Sequence, residues 1–214
     1  MAVLPDLPLF PLEVVLFPEE VLPLHIFELR YREMVRYCLE HQRPFGIVLT
    51  KGGELADVGC TARIRQVLHR YEDGRMDIQV EGEQRFRIRS ISQEHAYLTA
   101  EVELIEDREG DIDHALRERL ITQHLKLLEL AGRAVRPTIY QGKRRLSFFI
   151  AHNAALTLAQ KLEVLRLPTE SERITYLVQH LGDLLPRVEQ VEEVRRRIGS
   201  NGHIRDIPRA GDPD

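Results

Sequence analysis

The chain has 214 residues, of which 43% are hydrophobic and 30% are charged, and its formal net charge is −4. This length allows one or two compact domains with hydrophobic cores. The acidic balance provides no general attraction to nucleic acid, and no apolar run approaches the roughly 20 residues of a membrane span. The N-terminus lacks the features of a secretory signal. The two cysteines suit a reducing compartment, so we expect a cytoplasmic protein.

The most informative segment of the chain is PLFPLEVVLFPEEVLPL, residues 8–24. Its prolines interrupt an apolar run, and each proline fixes its own φ and favours extended backbone in the preceding residue. The pattern therefore predicts a strand broken by defined bends. A helix is predicted next, over residues 25–41, because apolar residues recur there on one helical face. These residues are Phe27, Tyr31, Met34, Val35 and Cys38.

Short strands are predicted over the rest of the first half of the chain. Four runs carry strand patterns: 44–50, 61–70, 76–80 and 97–106. Asp73-Gly74 separates the second run from the third, and Asp-Gly between strand-like runs indicates a hairpin. Several short strands at turn spacing predict a small closed or half-closed barrel over residues 1–107.

The apolar periodicity becomes helical from Asp111 onward. Two capping boxes mark helix starts in this half, Thr157 with Gln160 and Thr169 with Glu172. We predict a helical subdomain over residues 111–198. Its last helix ends near Gly199, and residues 199–214 have too little apolar surface to fold, which predicts a disordered tail.

Three sequence motifs follow one another along the chain. The first comprises Pro11, Leu12, Val15, Phe17, Pro18, Leu22, Pro23 and Leu24. The second comprises Val58, Gly59, Ala62, Ile64 and Val67. The third comprises Val80, Gly82, Arg85 and Ile88. In this order they resemble motifs of the substrate-binding N-terminal domain of Lon-type ATP-dependent proteases, and the resemblance covers roughly residues 7–190.

This resemblance implies an α+β architecture. We expect a PUA-like, small, twisted β-barrel with one packed helix, followed by a helical C-terminal subdomain. It also implies a stand-alone, non-catalytic module that recognises substrates as an adaptor in protein quality control. The expected ligands are unfolded or extended polypeptides, and the expected partner is a protease or a chaperone. The resemblance does not indicate an oligomeric state.

Catalytic and metal-binding motifs are not found in the sequence. A phosphate-binding loop needs Gly-Lys followed by Ser or Thr, whereas Gly142-Lys143 precedes Arg144. We interpret Ser147, near Lys143, as a helix-start residue because nothing indicates a positioned base. His25 and Glu28 have ligand-compatible spacing, but two ligands do not complete a coordination shell. We therefore predict no enzyme activity, no cofactor and no bound metal.

Two alternative functions remain open at this point. Arg85, Arg87 and Arg89 alternate along one strand face and could bind RNA. We favour a solvated face paired with acidic residues, because the chain is acidic and lacks interleaved exposed aromatic residues for base stacking. Nucleic acid is therefore not an expected partner. The other alternative is a small-molecule site where the barrel meets the helices.

The polypeptide-binding surface is predicted where the opening segment, the first helix and the Arg85 strand converge. Prolines deny this edge regular strand pairing. Pro18, Leu24 and Phe27 would form an apolar floor, and Arg85 a polar rim. The competing interpretation is that Leu24 and Phe27 belong to the core, as Leu and Phe most often do.

Overall fold

The computed structural model describes residues 2–108, 112–143 and 145–201, with side chains described as far as Arg195. The strands are β1 (Val3–Leu12), β2 (Val21–Ile26), β3 (Phe45–Lys51), β4 (Glu54–Arg70), β5 (Met76–Ser92) and β6 (Thr99–Ile105). The α-helices are α1 (Leu29–Glu40), α2 (His114–Leu130), α3 (Leu146–Asn153), α4 (Leu158–Arg166) and α5 (Glu170–Asn201). A 3₁₀-helix covers Pro137–Tyr140. The mixed composition confirms the predicted α+β class.

Five strands pair in a closed ring, and the sixth strand lies outside it. β1 pairs in parallel with β3 and antiparallel with β6. The antiparallel pairs β3–β4, β4–β5 and β5–β6 complete the ring. β2 pairs antiparallel with the start of β5, from Met76 to Glu81. β2 is therefore an edge strand, at the end of the sheet order β2-β5-β4-β3-β1-β6.

Two glycines of the Lon-like motifs lie where backbones approach closely. A Cβ on Gly82 would overlap the backbone carbonyl of Phe17, and one on Gly59 would overlap the carbonyl of Ile47. Glycine is the residue that permits such contacts. Gly82 thus lets β5 pass directly beneath the segment that precedes β2.

Helix α1 buries the predicted face, with one correction at its start. Tyr31, Met34, Val35 and Cys38 are buried, as the periodicity indicated. The helix begins at Leu29 rather than at residue 25, because residues as far as Ile26 continue the pairing of β2 with β5. Phe27 therefore lies in the turn before the helix and is exposed.

The helix starts in the second half follow the local capping chemistry. Asp113 caps α2 by accepting from the backbone N–H of Ala115. Thr157 and Gln160 form the predicted capping box at α4, and a second box precedes α5. There, the Thr169 hydroxyl accepts from the Glu172 N–H at 3.1 Å, and the Glu172 carboxylate accepts from the Thr169 N–H at 3.0 Å. Both predicted boxes are confirmed.

The C-terminal boundary differs from the prediction. Helix α5 continues through Pro186 and past Gly199 to Asn201, so the first residues of the predicted tail are helical. The other residues of that tail, 202–214, lie outside the described part of the chain. In the described residues, no helix is both long enough and apolar enough to cross a membrane.

The two halves of the chain share a hydrophobic core. Val15, Phe17 and Val58 from the strand-rich half belong to the same buried cluster as Phe148 and Leu165 from the helical half. Burial of this shared apolar surface holds the helices against the sheet. The division into subdomains 1–107 and 111–198 stays a prediction.

Candidate functional site

An apolar groove of about 250 Å³ lies between the ends of β1 and β2 and the start of α1. Its lining includes Phe10, Leu12, Leu24, Ile26, Phe27 and Tyr31, and we call it the Phe27 groove. Phe27 is 59% exposed and the neighbouring Leu29 is 75% exposed, whereas Leu24 is half-buried. Large apolar side chains grouped at a surface often mark an interaction site.

The turn between β2 and α1 explains the exposure of Phe27. Strand alternation directs Ile26 into the core, and the chain then turns before Leu29 begins the helix. The His25 ring stacks on the Phe27 ring with centroids 6.0 Å apart. His25 is in turn held by Asp77, whose Oδ1 lies 2.5 Å from Nδ1 of the imidazole. The His25–Asp77 contact thus helps to hold the exposed Phe27 ring in position.

Pro18 lines a separate cavity of about 160 Å³ between the turn before β2 and α3. Its lining includes Pro18, Glu20, Val21, Lys143, Phe149 and His152, and we call it the Pro18 pocket. Glu20 accepts from the backbone N–H of Phe17 at 2.9 Å and pairs with His152 at 2.7 Å. The predicted single groove is therefore two sites, which lie near opposite ends of β2.

Arg85 is not the polar rim that the sequence predicted. Its side chain is only 2% exposed. Nη1 donates to the carbonyls of Leu165 and Leu167 at 2.8 and 2.7 Å, and Nη2 pairs with Asp107 at 2.5 Å. The turn between α4 and α5 covers this side of β5, so the side chain has no access to solvent. Arg85 instead joins the strand-rich half to the helical half.

Arg85 belongs to a buried polar network that we call the junction cluster: Arg85, Asp107, Ser147, Glu170 and Arg173. Arg173 is fully buried, and its Nη2 contacts Asp107 at 2.7 Å and Glu170 at 2.9 Å. The Ser147 hydroxyl donates to Glu170 at 2.5 Å and accepts from Arg173 Nε at 2.8 Å. Two arginines and two carboxylates thus neutralise one another where the two halves meet.

Burial also shapes the electrostatics of this cluster. Desolvation lowers the pKa of Arg85 below its ordinary value, attraction to Asp107 opposes this shift, and repulsion from Arg173 adds to it. Both guanidinium groups lie over the Phe148 ring, at 5.5 and 4.2 Å from its centroid.

The sequence did not predict this cluster, because its members are far apart along the chain. The sequence feature that pointed to this cluster was the presence of Arg85 in the third Lon-like motif.

The other candidate residues have structural partners. Ser147 contacts Glu170 and Arg173 as described, while Lys143 Nζ lies 4.8 Å from the centroid of the Phe149 ring. His25 lies in strand β2 instead of on a helix, and Glu28 pairs with Arg30 at 2.8 Å. In the described part of the chain, no group of three or more His, Cys, Asp or Glu residues is arranged to hold a metal ion.

The predicted basic row does not form one cationic face. Arg85 is buried in the junction cluster, and Arg89 pairs with Glu103 at 3.0 Å. Arg87 is exposed and lines a cleft together with Glu103 and Glu106. Acidic side chains therefore lie beside both exposed arginines of the row. For Arg89, this agrees with our interpretation of a solvated strand face paired with acidic residues.

Comparison with known sequences identifies the family. The model of the ATP-dependent protease La (LON) substrate-binding domain matches residues 6–183. The chain is 26% identical over 211 residues to Lon protease from Escherichia coli strain K12. The matched region covers 90% of this chain and 26% of the protease. The chain is 27% identical over 201 residues to Lon protease 2 from Syntrophobacter fumaroxidans, which covers 87% and 25%, respectively. The chain thus spans about a quarter of the length of these relatives.

Solved structures show the same fold. A Lon N-terminal domain protein from Xanthomonas campestris aligns with a TM-score of 0.66 and 24% identity, covering 84% of this chain and 98% of that one. The N-terminal domain of Lon protease from the Mycobacterium avium complex aligns with a TM-score of 0.58 and 20% identity, covering 83% and 98%. The family match over most of the chain and this common fold confirm the resemblance in the sequence motifs, and the chain belongs to the LON substrate-binding domain family.

Proposed function

We propose that this chain binds unfolded or extended polypeptides and catalyses no reaction itself. The observation that carries the proposal is the solvent-exposed Phe27 beside an apolar groove. A protein that recognises unfolded chains needs such surface, because unfolded chains expose apolar side chains that folded proteins bury. Membership of a substrate-binding domain family supports the same function.

The chemistry of the Phe27 groove suits clients of varied sequence. Its floor is made by the rings of Phe10 and Tyr31, whose centroids are 4.2 Å apart, and its rim carries the Glu28–Arg30 ion pair. Burying one large apolar side chain contributes about 1.5–3 kcal/mol. That is far less than the roughly 8 kcal/mol of micromolar binding, so this groove would bind a client weakly and needs further contacts beside it.

We further propose that a protease or chaperone partner in the cytoplasm receives the bound client. In this proposal the partner supplies any ATP-driven step, because Gly142-Lys143 is followed by Arg144 and not by the Ser or Thr of a phosphate-binding loop. In this proposal the chain acts as an adaptor in protein quality control.

The two alternative functions have less support. RNA binding by the arginine row would have to depend mainly on Arg87, since Arg85 is buried and Arg89 is paired. The Pro18 pocket, at about 160 Å³, is smaller than the roughly 300–1,000 Å³ of typical small-molecule sites. A larger cleft beside Arg87 is lined by more charged than apolar residues, whereas small-molecule sites are usually lined mainly by hydrophobic and aromatic side chains.

Binding of a permanently unfolded protein tests the proposal. Reduced, carboxymethylated α-lactalbumin is titrated against the chain, with native α-lactalbumin as the folded control. We expect binding of the unfolded form alone, with little change between 50 and 500 mM salt. Equal binding of both forms, or of neither, would contradict the proposal. Binding of single-stranded RNA that weakens steeply with salt would instead favour the RNA alternative.

A further inference from the structure

The edge strand β2 has an unpaired side that runs between the Pro18 pocket and the Phe27 groove. One side of β2 pairs with β5, and no strand of the described chain pairs with the other. Val21 is 48% exposed, and Pro23 and His25 are also exposed. An exposed strand edge is a template for another extended chain.

The hydrogen-bond phase of β2 determines which backbone groups face this free edge. The Gly82 N–H donates to the carbonyl of Glu20 at 2.9 Å. In an antiparallel pair, alternate residues direct both backbone groups toward the partner strand, and the residues between them direct both groups away. The register continues from Val21 to Ile26 without a shift. The backbone N–H and C=O of Leu22 therefore point toward β5, as do those of Leu24 and Ile26.

The backbone groups of Val21, Pro23 and His25 point away from β5, toward the free edge. Proline has no N–H, so the free edge offers two N–H donors, from Val21 and His25, and three carbonyl acceptors. Pro23 removes no bond between β2 and β5, because its nitrogen points away from β5. Its effect is confined to the free edge, where it leaves one pairing position without a donor.

The free edge is continuous with both the Pro18 pocket and the Phe27 groove. Val21 lines the Pro18 pocket, and Leu24 and His25 line the Phe27 groove. The five residue steps of β2 span about 17 Å at the ordinary rise of a strand. An extended chain along β2 would therefore reach both sites with side chains a few residues apart.

We propose that a segment of unfolded polypeptide adds to the free edge of β2 as a further strand, with an apolar side chain in the Phe27 groove and a second side chain in the Pro18 pocket, whose lining is part apolar and part charged. The inference rests on the proposed function and specifies how the polypeptide binds. Main-chain hydrogen bonds do not depend on sequence, and they supply the contacts that one apolar groove lacks. An unfolded chain is the occupant that offers unpaired N–H and C=O groups together with exposed apolar side chains.

Two proline changes test the pairing, with carboxymethylated α-lactalbumin as the probe. Val21→Pro removes an outward N–H and leaves the β2–β5 bonds in place, so we expect binding to weaken about three- to tenfold. Pro23→Thr supplies the missing donor, so we expect binding to strengthen by a similar factor. Val21→Thr is the matched control; it keeps both the N–H and the side-chain shape, and we expect wild-type binding.

The outcomes separate this inference from the proposed function. If the wild type binds the unfolded probe but Val21→Pro and Pro23→Thr bind it equally well, strand addition is wrong and polypeptide binding stands. If the wild type does not bind the probe, both fail. Should Val21→Pro fail to fold, the change in affinity of Pro23→Thr alone decides. If Pro23→Thr dimerises in sedimentation and gains no affinity for the probe, a second copy occupies the edge and the inference is overturned.

Discussion

Arg85 and Asp107 form an ion pair at the junction of the two halves, with 2.5 Å between Nη2 and Oδ1. The pair joins β5 to the segment that follows β6, and Arg85 is almost completely excluded from solvent. A buried guanidinium without a carboxylate partner would be strongly unfavourable. Arg85 also donates to the carbonyls of Leu165 and Leu167, and Asp107 also pairs with Arg173. The pair therefore helps to fix the helical half in one position on the sheet.

Loss of this pair should destabilise the fold. We expect Arg85→Met to lower the free energy of unfolding by about 3 kcal/mol, because Asp107 and the carbonyls of Leu165 and Leu167 each lose one donor. Arg173 still donates to Asp107 and to the Leu167 carbonyl. The control is Arg89→Met on the same strand, which breaks an exposed pair with Glu103 and should cost less than about 1 kcal/mol. Urea unfolding followed by circular dichroism measures both. Equal midpoints for Arg85→Met and the wild type would show that the pair is dispensable.

A charge at Phe27 should weaken polypeptide binding without unfolding the protein. The ring is mostly exposed, so we expect Phe27→Asp to keep the wild-type unfolding midpoint while its affinity for carboxymethylated α-lactalbumin falls at least about tenfold. Leu68→Asp makes the same kind of change at an exposed apolar residue outside the groove, and it should bind normally. If Phe27→Asp unfolds the chain, Phe27 is a core residue. If it folds and binds like the wild type, the binding surface lies elsewhere.

Two Gly→Ala substitutions should have different effects on stability. At Gly82 the added methyl group meets the Phe17 backbone carbonyl, which cannot yield like a flexible side chain; we expect a loss of about 2 kcal/mol or more. At Gly182 in α5 the nearest atom is 3.5 Å away, so Ala should be neutral or add up to about 1 kcal/mol through helix propensity. Thermal unfolding compares the two variants. A stable Gly82→Ala variant would contradict the close approach.

His124 should make stability depend on pH between about 4 and 6.5. Burial lowers its pKa to about 4, while its Nδ1 lies 2.8 Å from the Tyr140 hydroxyl. Unfolded histidine has a pKa near 6.5, so below that pH the unfolded state binds a proton that the native state does not. The free energy of unfolding should fall as pH decreases through this window, by about 3 kcal/mol in total from this group.

The variant that isolates this effect is His124→Gln, which cannot titrate. Urea midpoints measured between pH 4 and 7.5 should depend less steeply on pH in this variant than in the wild type. His69→Gln, at an exposed histidine, should retain the wild-type dependence. Parallel profiles for His124→Gln and the wild type would contradict the assignment.

Limited proteolysis tests the predicted division into residues 1–107 and 111–198. We expect the first cut within 199–214 and later cuts at 107–111 or 136–143, because exposed connections between packed units are cleaved before the units themselves. Mass spectrometry of the fragments locates the cuts. Early cleavage within residues 76–90, which lie entirely in strand β5, would contradict the division.

Local chemistry by itself determined many of the structural elements. Asp73-Gly74 predicted the hairpin between β4 and β5, and the two Thr-based capping boxes predicted the starts of α4 and α5. These signals are readable because each depends on residues only a few positions apart. Together, the three Lon-like motifs also predicted the fold class and the family.

The surroundings of Arg85 and Phe27 were decided only by the tertiary structure. A period of two places Arg85 and Phe86 on opposite faces of a strand, but it cannot show that both faces are covered. Both residues are buried, because the helical half packs over one face and the ring of strands encloses the other. Phe27 fits a helical stripe in the sequence, yet the pairing of β2 with β5 delays the helix and leaves the ring exposed. Burial depends on which distant segments pack together, and that is set by the free energy of the whole fold and not by local spacing.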